Sequence, residues 1–487
     1  MQRVTIMSNL TIFKMKNLKF NILITLLLLL PLCAVRGQSS VDEIPGNVSD
    51  TSIVRYWKNK ISIVYTYNSE NSQKYFLLVD ELTPVVLRIE VPPDAMVNDF
   101  RILHDSVFLC GNYIFAGAQC GMLACFDIQD FYNGTGYYRG MITQQTDMPD
   151  CFVDPLIGSG YCQNKITDVI RMAVYDSSGY TKIAYIAKNY VNVPTDSRIG
   201  VGCATYWGGV WHNIIIYNKY GLEDYTDIVA TQNYVVAVAR NNDDSLLALR
   251  IYPKSSFLTP TWVASPYPYD PWAYYAITTG QKFLDLKVDE AVMATELDND
   301  EFAVAYHYTN SPKEGLAVKT FSISGGLATL LQALNAQVIR QPSSKWKMRD
   351  IRYSSKQQRL TVLNDFDGGI GSQTSIIYQF PLPTLATGSY HGRYLYNHYL
   401  QSLDIYGTAS DAFVTSGNIV NIGALTLFQE GFTPLTSCGR QDAIHCVRTT
   451  ATFDNPYMAT NMNVPRSSPG DIPFTVKDIN RDVICIQ

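Results

Sequence analysis

Short β-branched and aromatic runs, each cut off by Gly, Asn, Asp or Pro, recur along most of this chain. Runs of that length and texture read as β-strands, and a chain built from them must bury its apolar faces sheet against sheet. Helical apolar periodicity is confined to the N-terminal segment and Leu327–Ile339. Repetition narrows the choice further. An Asp followed by an apolar residue opens six successive units, at Asp99-Phe100, Asp168-Val169, Asp227-Ile228, Asp285-Leu286, Asp350-Ile351 and Asp404-Ile405, spaced by 69, 59, 58, 65 and 54 residues. The same dipeptide occurs off that register, as at Asp127-Ile128, Asp365-Phe366 and Asp478-Ile479, so its weight comes from the strands downstream of it.

Each unit continues with an apolar strand, at Val107–Cys110, Ile183–Ala187, Tyr234–Ala239, Phe302–Tyr306, Leu360–Leu363 and Ala412–Thr415. A second, alternating strand closes it, at Leu123–Ile128, Ile214–Tyr217, Leu246–Tyr252, Leu316–Ile323, Ile376–Phe380 and Ala424–Phe428. Ahead of them, Ile61–Tyr67, Tyr75–Val79 and Val85–Val91 form a further group without the opening Asp. An Asp at a strand entry accepts hydrogen bonds from nearby backbone amides, which gives the repeated acid a structural reason to be there.

The expectation is therefore all-β: a β-propeller of seven blades, with six and eight as the neighbouring counts, across residues 50–432. Two β-sandwich domains are the runner-up, because irregular spacing also suits unrelated domains. A chain of 487 residues exceeds one ordinary core and suits a large repeat-built domain. With 47% hydrophobic and 17% charged residues it is neither disordered nor a coiled coil. The division expected is 1–37, 38–432 and 433–487. The last segment reads as a stapled closure of the ring, with Asp482–Ile486 as the strand that would pair with the first blade.

The N-terminus reads as a signal peptide. Lys14, Lys16 and Lys19 precede an apolar run from Phe20 to Val35, too short to span a bilayer, and cleavage after Gly37 meets the small-residue rule. Met15 is an alternative start. Cys33 is preceded by Pro31 and Leu32, a poor lipidation context, so lipid anchoring there is not expected. The mature chain is expected to be exported to the periplasm or cell surface with no membrane span. Of the 38 bases five lie in residues 1–37, which hold no acid, so 33 bases face 43 acids in the remainder, a formal charge of −10. Such a balance excludes nucleic acid as a partner class.

An oxidising compartment favours disulfides. The close pairs Cys151 with Cys162 and Cys438 with Cys446 are the candidates, and an odd count of nine mature cysteines leaves at least one unpaired. Without a Cys-x-x-Cys motif no metal is expected, and no cofactor.

Six histidines, no His-Glu-x-x-His, no Gly-x-Ser-x-Gly and no phosphate loop leave no recognisable catalytic motif. The acidic stretches Asp298–Glu301 and Asn364–Gly369 read as turns before they read as Ca²⁺ loops. Aromatics carry more. Lys188–Val210 runs into Trp207, Trp211 and His212, and Pro253–Lys282 holds Trp262, Tyr267, Tyr269 and Trp272 among prolines. Rings on stiffened loops offer flat apolar faces with polar tips, suited to sugar rings or a protein surface, although they also serve as small satellite cores.

The signal segment, the Tyr and Asn content and the loose three-strand units resemble the secreted β-propeller-like proteins of Bacteroidota-type Gram-negative bacteria. The resemblance covers residues 50–432 in architecture and implies an exported protein that binds. Trp-Asp blade ends, Asp-boxes and kelch glycine pairs are missing, so no functional residue is carried over. The sequence favours a binding or scaffolding module for a glycan or an envelope protein over catalysis. A carbohydrate-active hydrolase or lyase with carboxylates at a channel mouth is one alternative, and an envelope structural protein is the other.

Overall fold

The computed structural model describes most of residues 51–429 and two strands beyond, 446–449 and 483–485; residues 1–50, 143–151, 154–159, 258–278, 430–445 and 450–482 are the longer stretches outside the described residues. Seven antiparallel sheets follow one another along the chain: blade 1 (51–90), blade 2 (95–142), blade 3 (166–216), blade 4 (223–287), blade 5 (293–337), blade 6 (345–396) and blade 7 (398–485). Blades 1 to 6 have four strands and blade 7 has five, in sequence order across each sheet. The first strand of each blade, Thr51–Lys58, Ala95–Leu103, Ile166–Ser177, Glu223–Ala230, Met293–Glu296, Lys345–Ser354 and His398–Ile405, packs against the first strands of the blades before and after it. Since the seventh also packs against the first, the sheets form a closed ring with these strands innermost. That is a seven-bladed β-propeller, and a closed ring excludes a pair of sandwiches.

The apolar faces account for the ring. Continuous clusters join blades 1 to 3, blades 3 and 4, blades 4 and 5, and blades 5 and 6. Phe76 of blade 1 meets Phe100 and Phe126 of blade 2 edge-on, with centroids 5.3 and 5.1 Å apart. Strands buried on both faces by neighbouring sheets read as near-continuous apolar runs, as Tyr234–Ala239 does. Close approach fixes one glycine: a Cβ on Gly111, opposite the bulge at Asn98, would lie 1.8 Å from the Met96 carbonyl oxygen.

Four details differ from the sequence reading. Asp285-Leu286 does not open a blade; it lies on the outer strand Thr279–Lys287 of blade 4, and blade 5 opens with Met293–Glu296, which has no Asp. Leu327–Gln337 is a strand rather than a helix, the outer strand of blade 5 held by backbone pairing with Lys313–Ser324. Ser197–Trp207, inside the segment read as an insertion, is the third strand of blade 3, and Ile214 lies on its fourth. Val483–Cys485 pairs with Cys446–Thr449 at the outer edge of blade 7, not with blade 1. Every described strand of blade 1 comes from residues 51–90, so no described strand is shared across the closure.

Candidate functional site

The recurring Asp sits where the innermost strands bulge. One residue is skipped in the pairing at Asn98, Thr226 and Arg349, and Asp99, Asp227 and Asp350 come immediately after; blade 3 skips both Thr167, before Asp168, and Ile170, before Arg171. In blade 7 the skipped residue is Gln401; Ser402 takes the Asp place and Asp404 comes two residues later. A bulge turns a strand locally and re-aims its side chains, here toward the axis of the ring.

Each of four carboxylates caps the amide next in the chain: Asp99 accepts from Phe100, Asp227 from Ile228, Asp350 from Ile351 and Asp404 from Ile405, at 2.9, 2.9, 3.0 and 2.9 Å. In three of them the other oxygen accepts an amide of the next blade: Asp227 from Ala294 at 2.9 Å, Asp350 from Leu403 at 3.2 Å and Asp404 from Tyr56 at 2.7 Å. The motif is thus an inter-blade latch. At the junction of blades 2 and 3 the same space is filled by Asn98, which donates to Asp168 at 2.6 Å.

Four arginines complete the network. Arg55 of blade 1 donates to Asp99 at 2.7 Å, Asp350 at 3.2 Å and Ser402 at 2.9 Å, and to the Val54 and Phe100 carbonyls. Arg352 pairs with Asp350 at 3.1 Å and lies 3.8 Å from Asp404. Arg101 pairs with Asp99 at 3.2 Å and donates to the Met172 carbonyl of blade 3. Arg171 differs: among the described residues its guanidinium meets no carboxylate within ion-pair distance and makes a single long contact, 3.4 Å to the Asn98 carbonyl. The side chain of Asp99 is fully buried, whereas Arg101 and Asp404 keep 20% and 19% of theirs exposed.

Charge and burial divide the carboxylates. Burial alone would raise all four. At Asp99 the guanidiniums of Arg101, Arg55, Arg171 and Arg352 more than reverse it, bringing the carboxyl down to about 2. Asp350 is lowered in the same way by Arg352, Arg55 and Arg101. Asp227 and Asp404 stay above the ordinary carboxylate range because burial outweighs the arginines near them. Burial, then repulsion from Arg101 and Arg55, pulls Arg352 down to about 10.

Sequence reasoning singled out the Asp positions as fold residues and passed over the arginines. A signal existed: in Asp99-Phe100-Arg101 and Asp350-Ile351-Arg352 acid and base two apart share one face of a strand. Nothing local marks Arg55, whose partners come from blades 2, 6 and 7.

The aromatic candidates fall elsewhere. Trp207, Trp211 and His212 lie on the hairpin joining the third and fourth strands of blade 3, with Trp207 opposite Val210, Trp211 opposite Tyr206 and His212 opposite Thr205. Trp262, Tyr267, Tyr269 and Trp272 lie outside the described residues, as do Cys151, Cys162 and Cys438; Cys446 is registered opposite Cys485. The 253–279 connection joins the third and fourth strands of blade 4, so it leaves the ring on the same face as the blade 3 hairpin. The acidic stretch Asp298–Glu301 is a turn at the head of blade 5, where Asp300 accepts from Asn233 and Thr231 of blade 4. No group of metal-ligating side chains occurs among the described residues.

With this geometry in hand, the likeness to known proteins is one of shape. The chain is similar to polysaccharide lyase Uly1 over 79% of its length and 89% of the lyase, with a TM-score of 0.41 and 9% identity. It is similar to the periplasmic gluconolactonase of Pseudomonas aeruginosa over 78% and 91%, with a TM-score of 0.38 and 10% identity. The β-propeller domain of the trilobed protease from Pyrococcus furiosus matches over 85% and 100%, with a TM-score of 0.41 and 7% identity. No protein-family model matches the chain, and no curated protein sequence does. Likenesses at this level transfer neither residues nor activity.

Proposed function

We propose that this propeller is an exported binding module of the cell envelope, and that its ligand, a glycan or another envelope protein, is engaged on the face where the aromatic connections of blades 3 and 4 emerge. The observation that carries this reading is topological. Third-to-fourth-strand connections of adjacent blades leave the ring on one face, and in blades 3 and 4 those connections bear Trp207, Trp211 and His212, and Trp262, Tyr267, Tyr269 and Trp272. Export rests on the basic and apolar N-terminal segment. Among the described residues no helix is long and apolar enough to cross a membrane.

The test is binding of residues 38–487 to a glycan array and to envelope extract, with Trp207→Ala and Trp211→Ala made singly. Loss of the ligand in either variant, at an unchanged melting temperature, supports a site on the hairpin. Retention by both, at an unchanged melting temperature, removes the hairpin from the site.

One observation favours a second reading, a carbohydrate-active enzyme. Asp404, an axial carboxylate raised above its ordinary value, keeps 19% of its side chain exposed, as a general acid that meets a substrate requires. Turnover of a polysaccharide that disappears in Asp404→Asn would establish it.

A further inference from the structure

The axial network is saturated on one side and underused on the other. Arg55 spends its guanidinium on three side chains and two carbonyls, from blades 1, 2, 6 and 7. Arg171, on the innermost strand of blade 3, has five N–H donors like any arginine and makes one hydrogen bond among the described residues, 3.4 Å from the Asn98 oxygen. Arg101, beside it on blade 2, has a single carboxylate partner and one carbonyl, with 20% of its side chain exposed. The two arginines cross between blades, each reaching a carbonyl of the other's strand. Two guanidiniums that cross between the same two strands, one of them partly exposed, make a fork that matches a planar oxyanion.

From this crossed pair we infer that the propeller axis holds a binding site for a carboxylate-bearing ligand, taken by the guanidiniums of Arg171 and Arg101. A uronate residue of a glycan and a free small carboxylate share that chemistry.

Charge balance adds a consequence. An arriving carboxylate on Arg171 and Arg101 places a further negative charge beside Asp227, which both arginines act on. Asp227 is the acid placed to absorb it. Arg171 of blade 3 and Arg101 of blade 2 face it, the Ala294 and Ile228 amides cap it, and Glu296 closes the blade 5 strand. Burial already holds Asp227 above the ordinary carboxylate range. Binding therefore takes up a proton and tightens as the pH falls.

The experiment is calorimetric titration of residues 38–487 with glucuronate, acetate, an oligouronide and glucose across a pH series, alongside Arg171→Gln and Asp227→Asn. Expected results are binding of the carboxylates but not glucose, a roughly 10- to 100-fold loss in Arg171→Gln, and tighter, pH-independent binding in Asp227→Asn. Preference for the oligouronide over acetate identifies a glycan as the source, and the reverse identifies a small acid. Carboxylate binding that survives Arg171→Gln in a folded protein overturns the site, and so does the absence of binding by all three carboxylates. Should Arg171→Gln not fold, an unchanged pH slope in Asp227→Asn overturns it equally. Array hits lost only in a tryptophan variant leave the aromatic-face reading standing while this one falls.

Discussion

Asp404 accepts the backbone N–H of Tyr56 at 2.7 Å across 348 positions of sequence. The same carboxylate geometry joins Asp227 to Ala294 and Asp350 to Leu403, so the seventh blade is fastened to the first by the device that fastens interior blades to one another. No described strand crosses that junction. Closure rests on packing of the innermost strands, on this latch and on the Arg55 clasp.

Truncating the latch tests that account. Asp404→Ala leaves the Tyr56 and Ile405 amides without their acceptor, at a cost of about 1–3 kcal/mol in urea unfolding. Asp404→Asn keeps one acceptor oxygen and costs less. Equal stability of Asp404→Ala and the parent would show that packing alone closes the ring.

Arg55 has the larger effect. Its removal leaves fully buried Asp99 with Arg101 as its one remaining ion-pair partner among the described residues and takes a partner from Asp350. Breaking a buried pair from one side costs about 3–5 kcal/mol, so Arg55→Ala should lower the urea midpoint more than any single latch variant. A loss below about 1 kcal/mol would mean that water replaces the guanidinium without penalty.

Acid stability is set by the direction of each shift. Asp99 and Asp350 lie below their ordinary range in the folded chain, so their contribution is complete above the unfolded carboxylate range and disappears as the pH falls, toward about 2 for Asp99. For Asp99 that limb is worth about 2 kcal/mol. Asp227 and Asp404 have the opposite sign: their contribution is complete below the unfolded carboxylate range and is lost as the pH rises through their raised folded values. Thermal melts across pH should show a maximum between the two limbs, and Asp99→Asn should flatten the acid one.

Thiol chemistry separates described from outer cysteines. Cys110, Cys120, Cys125 and Cys203 are buried. Burial raises Cys110 strongly and pushes Cys203 up to about 12, despite the pull of Lys182. A thiol reagent should leave all four untouched in the native protein and modify them on unfolding. Rapid native reaction at any of them would show that the blades open locally.

Particular residues show what the chain specifies locally. Tyr234–Ala239 reads as a buried strand in sequence and is one, because apolar burial on both faces needs only local composition. Asp227-Ile228 reads as a structural acid at a strand entry and caps the next amide, since partner and acceptor are adjacent. Asp285-Leu286 carries the same dipeptide on an exposed outer strand. Nothing local distinguishes the two, because which strand faces the axis depends on neighbouring sheets. Leu327–Gln337 has a helical apolar rhythm, yet pairing with the blade 5 strand beside it prevails.

The sequence by itself therefore determined an all-β chain of repeated small sheets, since strand length, alternation and turn chemistry are local properties. Only the tertiary structure decided that Arg55, Arg101 and Arg352 meet Asp99, Asp350 and Asp404 from different blades in one network. Those residues are drawn together by closure of the ring, and their charges become strong because the ring removes water from around them. That dependence on distant neighbours is why Arg55 carries no mark in its own segment, and why Arg171 stands out only once its missing partner can be seen.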